Sequence, residues 1–274
     1  MSGASFKDLE HAGWSSRAAD YDVHFAPVTE QAIGPLLDAA AADWRDLRAL
    51  DICTGTGKAA GAAAARGATV EGVDFAEPMV AVARRNYPAV AFSQGDAERL
   101  PYPDGGFDVA ICAFGLLHLA DADAALREAF RVLKPGGRFA YATWAPPRRG
   151  FDLQRLVGKA IEQHGKADAA LPPAPPTFRF ADREEAGQAL AAAGFGDLAW
   201  SERIAVWRGA DGAAVIDLIY KGIVRTPMLI DAQAAADRER ILAAIAEGAE
   251  AYRKDGGQIE LRWPYVAAVA VKPA

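Results

Sequence analysis

Asp51-Ile-Cys-Thr-Gly-Thr-Gly57 is the stretch on which the reading of this chain turns. Before it runs LRALDIC (47–53), a short apolar run of buried-strand type, and after it comes a small-residue helix from Lys58 to Arg66. A strand that passes through glycines into a helix is the opening of a parallel βαβ unit. The glycines let a ligand approach the backbone, and the helix start presents free amides and a positive dipole end. The alternation continues outward: ATVEGVD (68–74) as a second strand, Pro78 to Asn86 as a helix, AVAFSQ (89–94) and FDVAICAF (107–114) as strands three and four. An amphipathic helix from Asp121 to Leu133 ends at the Lys-Pro-Gly-Gly stop at 134–137, and RFAYATW (138–144) makes a fifth strand. Short apolar runs alternating with helices specify a parallel sheet covered on both faces and wound by right-handed crossovers.

Residues 1–46 read as helices placed before the first strand, a cap carrying Trp14, Tyr21, Phe25 and Trp44. LPPAPPTF (171–178) is too rich in proline for a regular helix or central strand, so it is an exposed connection. Beyond it the pattern predicts a helix from Arg183 to Ala193 closed by Gly194, a strand near 198–207, helices near 211–224 and 232–252, and a final strand near 259–271 that closes the sheet. The expectation is an α/β, Rossmann-like, seven-stranded and mostly parallel sheet with helices on both faces. The whole of 1–274 reads as a single domain: cap 1–46, ligand-binding core 47–144, remaining sheet and link 145–207, a lid-like insertion 208–257 and a last strand 258–274. The insertion is longer than a sheet connection requires, so it is expected to cover the substrate, with a dimer surface as the alternative.

With 51% apolar and 24% charged positions, the chain has material for a sizeable core. Thirty basic and thirty-six acidic side chains leave a net charge of −6, and the basic ones are scattered. That argues against nucleic-acid and anionic-membrane partners, which need a concentrated basic face. No stretch approaches the roughly 20 apolar residues of a membrane span, and MSGASFKDLEHAGW lacks the apolar core of a secretion signal, so a cytoplasmic location is expected. The two cysteines, Cys53 and Cys112, lack metal-ligand spacing and read as small buried hydrophobes; no metal site is expected. The oligomeric state reads as monomer or homodimer.

Asp74 ends the second strand nineteen positions after Gly55, where a carboxylate can accept both hydroxyls of a ribose; the plain alternative is a helix N-cap ahead of Pro78. With Ala60, the loop also satisfies the dinucleotide pattern, which keeps an NAD or FAD oxidoreductase in view. A Walker-type phosphate loop is set aside because Ala59 follows Lys58, and no Gly-x-Ser-x-Gly elbow of a hydrolase occurs.

Further along stand GDAERLPYPDGGFDVAICAFGLLHL (95–119) and RVLKPGGRFAYATW (131–144). With these, residues 47–144 resemble the class I methyltransferases that use S-adenosylmethionine (SAM), in the type 11 group typified by ubiquinone and menaquinone biosynthesis enzymes. The resemblance implies that Asp51, Gly55 and Gly57 surround the methionine part of SAM, Asp74 holds the ribose and Met79 lies against the adenine. It implies that Asp96 and the backbone of Ala97 recognise the adenine amino group, and that Ala113 and Phe114 line the sulfonium side. Arg17-Ala-Ala-Asp-Tyr-Asp22 resembles the family segment whose tyrosine, here Tyr21, folds over the methionine end. Cys53 departs from the pattern, since the family carries glycine there; a position demanding positive φ accepts cysteine poorly.

Methyl transfer is an in-line displacement, so the protein must hold the nucleophile and exclude water; a hydroxyl or carbon acceptor also benefits from a base. His118, a few residues past the fourth strand, is the candidate base, with ordinary half-buried packing as the alternative. His11 and His24 belong to the cap, and His164 reads as surface. Trp14, Phe25, Trp144, Tyr220, Met228 and the cationic Arg225 are the candidates for an acceptor pocket suited to a small aromatic or hydrophobic molecule. Binding of SAM without methyl transfer remains a further alternative, because these motifs report the cofactor.

Overall fold

The computed structural model describes residues 4–166 and 171–274. The chain opens with α1 (Phe6–His24) and α2 (Ala26–Ala40), then alternates β1 (Arg48–Ile52), α3 (Lys58–Ala65), β2 (Thr69–Asp74), α4 (Glu77–Asn86), β3 (Ala91–Gln94) and β4 (Phe107–Ala113). A 3-10 turn, Leu116–His118, leads to α5 (Ala122–Val132) and β5 (Leu133–Trp144). There follow α6 (Asp152–His164), α7 (Arg183–Ala192), β6 (Gly196–Gly209), α8 (Gly212–Gly222), α9 (Arg225–Asp231), α10 (Ala235–Ala249) and β7 (Ile259–Val271). Among the described residues the strands form a seven-stranded sheet in the order β3-β2-β1-β4-β5-β7-β6.

Strands β1 to β5 are parallel, and β7 runs antiparallel to both β5 and β6. The last strand completes the sheet by entering between β5 and β6, which leaves β6 outermost. The period of two splits the core into two layers. In β4, Val109 and Ile111 face the layer built with α2, α3, α6, α8 and α10, while Ala110 and Cys112 face the layer built with α5 and α7. In β5, Ala140 and Ala142 belong to the first layer, Phe139 and Tyr141 to the second. Strands buried on both faces are what a near-continuous apolar sequence requires.

Local signals place the helix starts. Ser5 and Asp8 form a reciprocal capping box at α1, and the side chains of Asp121, Asp182 and Asp211 accept backbone N–H groups at the starts of α5, α7 and α8. The Lys134–Gly137 stop appears as a bulge: Phe107 pairs with Leu133 and Val109 with Arg138, so the intervening residues bow out of the ladder. The edge strand β6 is partly covered by a side chain. Gln31 donates Nε2 to the Val206 carbonyl at 3.0 Å and accepts the Val206 N–H at 2.9 Å, which occupies part of an edge that would otherwise invite pairing.

Candidate functional site

The C-terminal ends of β1, β2 and β4 converge on one cavity of about 810 Å³, its open mouth included. That is within the roughly 300–1,000 Å³ of small-molecule sites. Its floor is the loop after β1. Gly55 has φ 54°, and no heavy atom lies within 4 Å of where its Cβ would stand, so the loop presents bare backbone to the space. Asp74, 6% exposed at the end of β2, accepts Gly55 N–H at 2.9 Å on one oxygen and Ala76 N–H at 3.0 Å on the other. Burial pushes its carboxyl above the usual carboxylate range despite these two bonds. The N-cap alternative fails in geometry, because Ala76 holds the cap position of α4.

Twelve of the candidate residues line this cavity: Trp14, Tyr21, Phe25, Gly55, Asp74, Met79, Asp96, Ala97, Ala113, Phe114, His118 and Trp144. Asp51 and Gly57 do not. Asp51 lies 1% exposed beneath the loop, where one carboxylate oxygen accepts Thr54 Oγ1–H at 2.7 Å and Ala60 N–H at 2.9 Å, and the other is buried without a partner. It shapes the turn from below, and burial raises its pKa to about 7. Gly57, at φ 85°, caps α3; a Cβ there would lie 3.0 Å from side-chain atoms of Ala83, Phe92 and Tyr87, so its role is close packing.

The insertion also stands apart from the expectation. None of its residues lines the cavity, and Tyr220, Arg225 and Met228 lie outside it. The Tyr220 hydroxyl donates to Asp231 at 2.8 Å and its carbonyl accepts Arg17 Nε–H at 3.1 Å, while the Arg225 guanidinium sits 5.2 Å over the Phe6 ring. These contacts brace α1, and α1 is the cover. His11, His24 and His164 are likewise absent from the lining.

Residues without a site role in the sequence reading also face the cavity: Lys7, Thr29, Phe75, Glu98 and Leu119, together with Cys53 of the glycine loop. One signal was present, since Lys7, Trp14 and Tyr21 recur every seven residues and so share one stripe of α1. Lys7 Nζ lies 2.6 Å from both Asp96 and Glu98, tying α1 to the loop after β3, while Asp96 also accepts the Glu98 N–H at 2.9 Å. His118 Nδ1 lies 2.9 Å from Glu10, a carboxylate behind the wall, and the His118 ring meets Trp14 edge to face at 4.8 Å. The opposite wall is aromatic. Phe114 stacks on Trp144 at 3.9 Å, Phe25 lies 5.9 Å from Trp144, and Tyr21 donates to or accepts from Thr29 at 3.2 Å. Burial lifts the Tyr21 hydroxyl to about 12, so it stays protonated as a hydrogen-bonding group.

A Rossmann-like sheet whose seventh strand enters antiparallel, with a glycine loop and a buried β2 carboxylate at its carboxyl edge, defines the class I methyltransferase architecture. Residues 50–141 match the family model described as a methyltransferase domain. A demethylmenaquinone methyltransferase of Thermus thermophilus is 48% identical over 109 residues, covering 38% of this chain and 50% of the relative. One from Streptomyces griseus is 33% identical over 183 residues, covering 65% of this chain and 78% of the relative. The chain thus spans about half the length of the Thermus relative. Among solved structures, a putative methyltransferase from Bacillus halodurans shares the fold at a TM-score of 0.57 and 22% identity, over 88% of this chain and 99% of that one. The chain belongs to the type 11 family of SAM-dependent methyltransferases, whose cofactor is SAM.

The residues present suit that cofactor. The open space at Gly55 and the carboxylate of Asp74, both facing the cavity, offer bare backbone and a hydrogen-bond acceptor to a ribose-bearing molecule. Among the described residues no helix is long and apolar enough to cross a membrane.

Proposed function

We propose that this protein methylates a small aromatic acceptor of quinol type, with Asp74 on the ribose of SAM, Met79 and Asp96 on the adenine side, and Tyr21, Gly55, Ala97, Ala113 and Phe114 around the rest of the cofactor. Bound SAM supplies an electrophilic methyl group on a sulfonium. Asp51 and Gly57 hold the loop in shape from beneath. Trp14, Phe25, Phe114 and Trp144 form an apolar wall that excludes water and lets a planar ring stack, and His118 takes the proton that the acceptor gives up.

The observation that carries this reading is the meeting of two chemistries in one cavity: the Gly55–Asp74 cradle on one side, the Phe25–Phe114–Trp144 wall on the other, and His118 at their junction. The names of the demethylmenaquinone methyltransferase relatives support a quinone-like acceptor. The experiment is transfer of a labelled methyl group from SAM to a panel of a short-chain prenyl naphthoquinol, simple phenols and primary amines. Label on the naphthoquinol or the phenols and not on the amines supports the reading. Tight SAM binding with no label on any acceptor would make this a SAM-binding protein that does not methylate, and binding of NADH in place of SAM would make it an oxidoreductase.

A further inference from the structure

Glu10 is 0% exposed and has no lysine or arginine within ion-pairing distance among the described residues. One of its oxygens accepts Trp14 Nε1–H at 3.1 Å and lies 2.9 Å from His118 Nδ1, while the other is buried without a hydrogen-bond partner. A carboxylate in that position is costly to bury unless a positive charge or donor faces it. Lys7, one turn earlier on α1, is committed to Asp96 and Glu98, and Arg225 lies over Phe6. The basic side chain that faces Glu10 is the His118 imidazole. Its ring lines the cavity, and with Nδ1 turned toward Glu10, Nε2 is the nitrogen left for the acceptor.

We infer that Glu10 is the positioning residue of a Glu10–His118 pair and that the acceptor must arrive with a proton to lose, as a phenolic or quinol hydroxyl or an acidic ring carbon. The inference rests on the reading that His118 is the base. Glu10 accepts the Nδ1 proton, which fixes the tautomer and holds the ring against Trp14. The acceptor's O–H or C–H proton passes to Nε2, the electron pair left on the acceptor becomes the nucleophile, and the resulting imidazolium is balanced by the Glu10 carboxylate. An amine with a free lone pair needs none of this.

The test compares Glu10→Gln, His118→Ala and the double variant, with the prenyl naphthoquinol and the phenol panel as acceptors and calorimetry for SAM. The expected result is a fall in kcat of about 100-fold for Glu10→Gln, with acceptor KM and SAM affinity held, and no further loss when it is added to His118→Ala. Phenols acidified by electron-withdrawing groups, which arrive already ionised, should recover most of the rate. Full kcat in Glu10→Gln beside a crippled His118→Ala overturns the role of Glu10 alone. Full kcat in His118→Ala overturns the base reading, and the inference with it. Should Glu10→Gln fail to fold, nitrogen NMR of the wild-type histidines decides: a His118 ring protonated on Nδ1 supports the pair, and one protonated only on Nε2 overturns it.

Discussion

Cys53 has φ 57° and Phe114 has φ 61°, both in the left-handed region, and both face the cavity. An L-residue there costs roughly 1–2 kcal/mol, and such outliers gather at ligand sites. The departure from glycine at position 53 was visible in the sequence; that the backbone keeps the glycine conformation was not. Gly115 makes room for the cysteine, because a Cβ on it would stand 2.5 Å from Cys53 Cβ. Cys53→Gly should therefore change stability by less than about 1 kcal/mol, the relief of strain offsetting the loss of a small side chain and the added freedom of the unfolded chain. Cys53→Val, branched at the crowded Cβ, should cost roughly 2 kcal/mol or more and weaken SAM binding. Denaturant unfolding of both variants checks the pair.

Asp51 gives a second expectation at this scale. Burial raises its pKa from 3.8 to about 7 in the folded chain. A raised folded pKa favours the folded state fully below the unfolded value, and that contribution is lost as pH rises through the folded one. The ligand-free protein should thus lose stability between about pH 4 and pH 7, on the order of a few kcal/mol. Asp51→Asn should flatten that slope, because the amide oxygen still accepts from Thr54 and Ala60. SAM, being cationic, should release a proton from the site on binding near pH 7; titrations in buffers of different ionisation heat would detect it.

Among the elements, the alternating core from β1 to β5 is legible because β1, β2, β4 and β5 are short apolar runs buried for most of their length, and α5 starts at the capping Asp121. Two helices were not anticipated. In α6 the buried residues Leu153, Leu156, Val157, Ala160 and Ile161 follow helical spacing, so the sequence carries the signal of a helix within 145–207. In α9, Arg225–Asp231 is too short for a periodic signal and gains its order from packing. The insertion lines none of the cavity, for a physical reason: length marks an added element but says nothing of the surface it packs on, and here α8 and α9 support α1. The cover is thus α1, held by Lys7 to Asp96 and Glu98 with a lysine side chain 39% exposed. Lys7→Met should speed SAM dissociation several-fold while costing less than about 1 kcal/mol of stability, since half-exposed ion pairs contribute little to folding. The effect should shrink at high salt, which screens the same pair in the parent protein. Stopped-flow dissociation at two ionic strengths measures both.

At the scale of the molecule, the order of the last strands could not be read locally. The apolar run of β7 fits an edge or an interior strand equally well, and only pairing with β5 and β6 together makes it interior. Cofactor binding is also a property of the whole molecule, because β1, β2 and β4 must be in register before Gly55 and Asp74 meet. SAM should accordingly stabilise the folded state as a unit. At a free concentration of one hundred times Kd the gain is about 2.7 kcal/mol, and at roughly 2–4 °C per kcal/mol for a chain of this size the melting temperature should rise by about 5–10 °C. Asp74→Ala removes the acceptor of the Gly55 and Ala76 amides, so its ligand-free form should melt lower, and the SAM-induced rise should vanish. Asp74→Asn separates the two effects: one amide oxygen remains to accept from the loop, so most of the stability should return, while a side chain that no longer accepts with both oxygens should recover only part of the SAM shift. An undiminished shift in Asp74→Ala would place the ribose elsewhere and leave Asp74 as a brace for the loop.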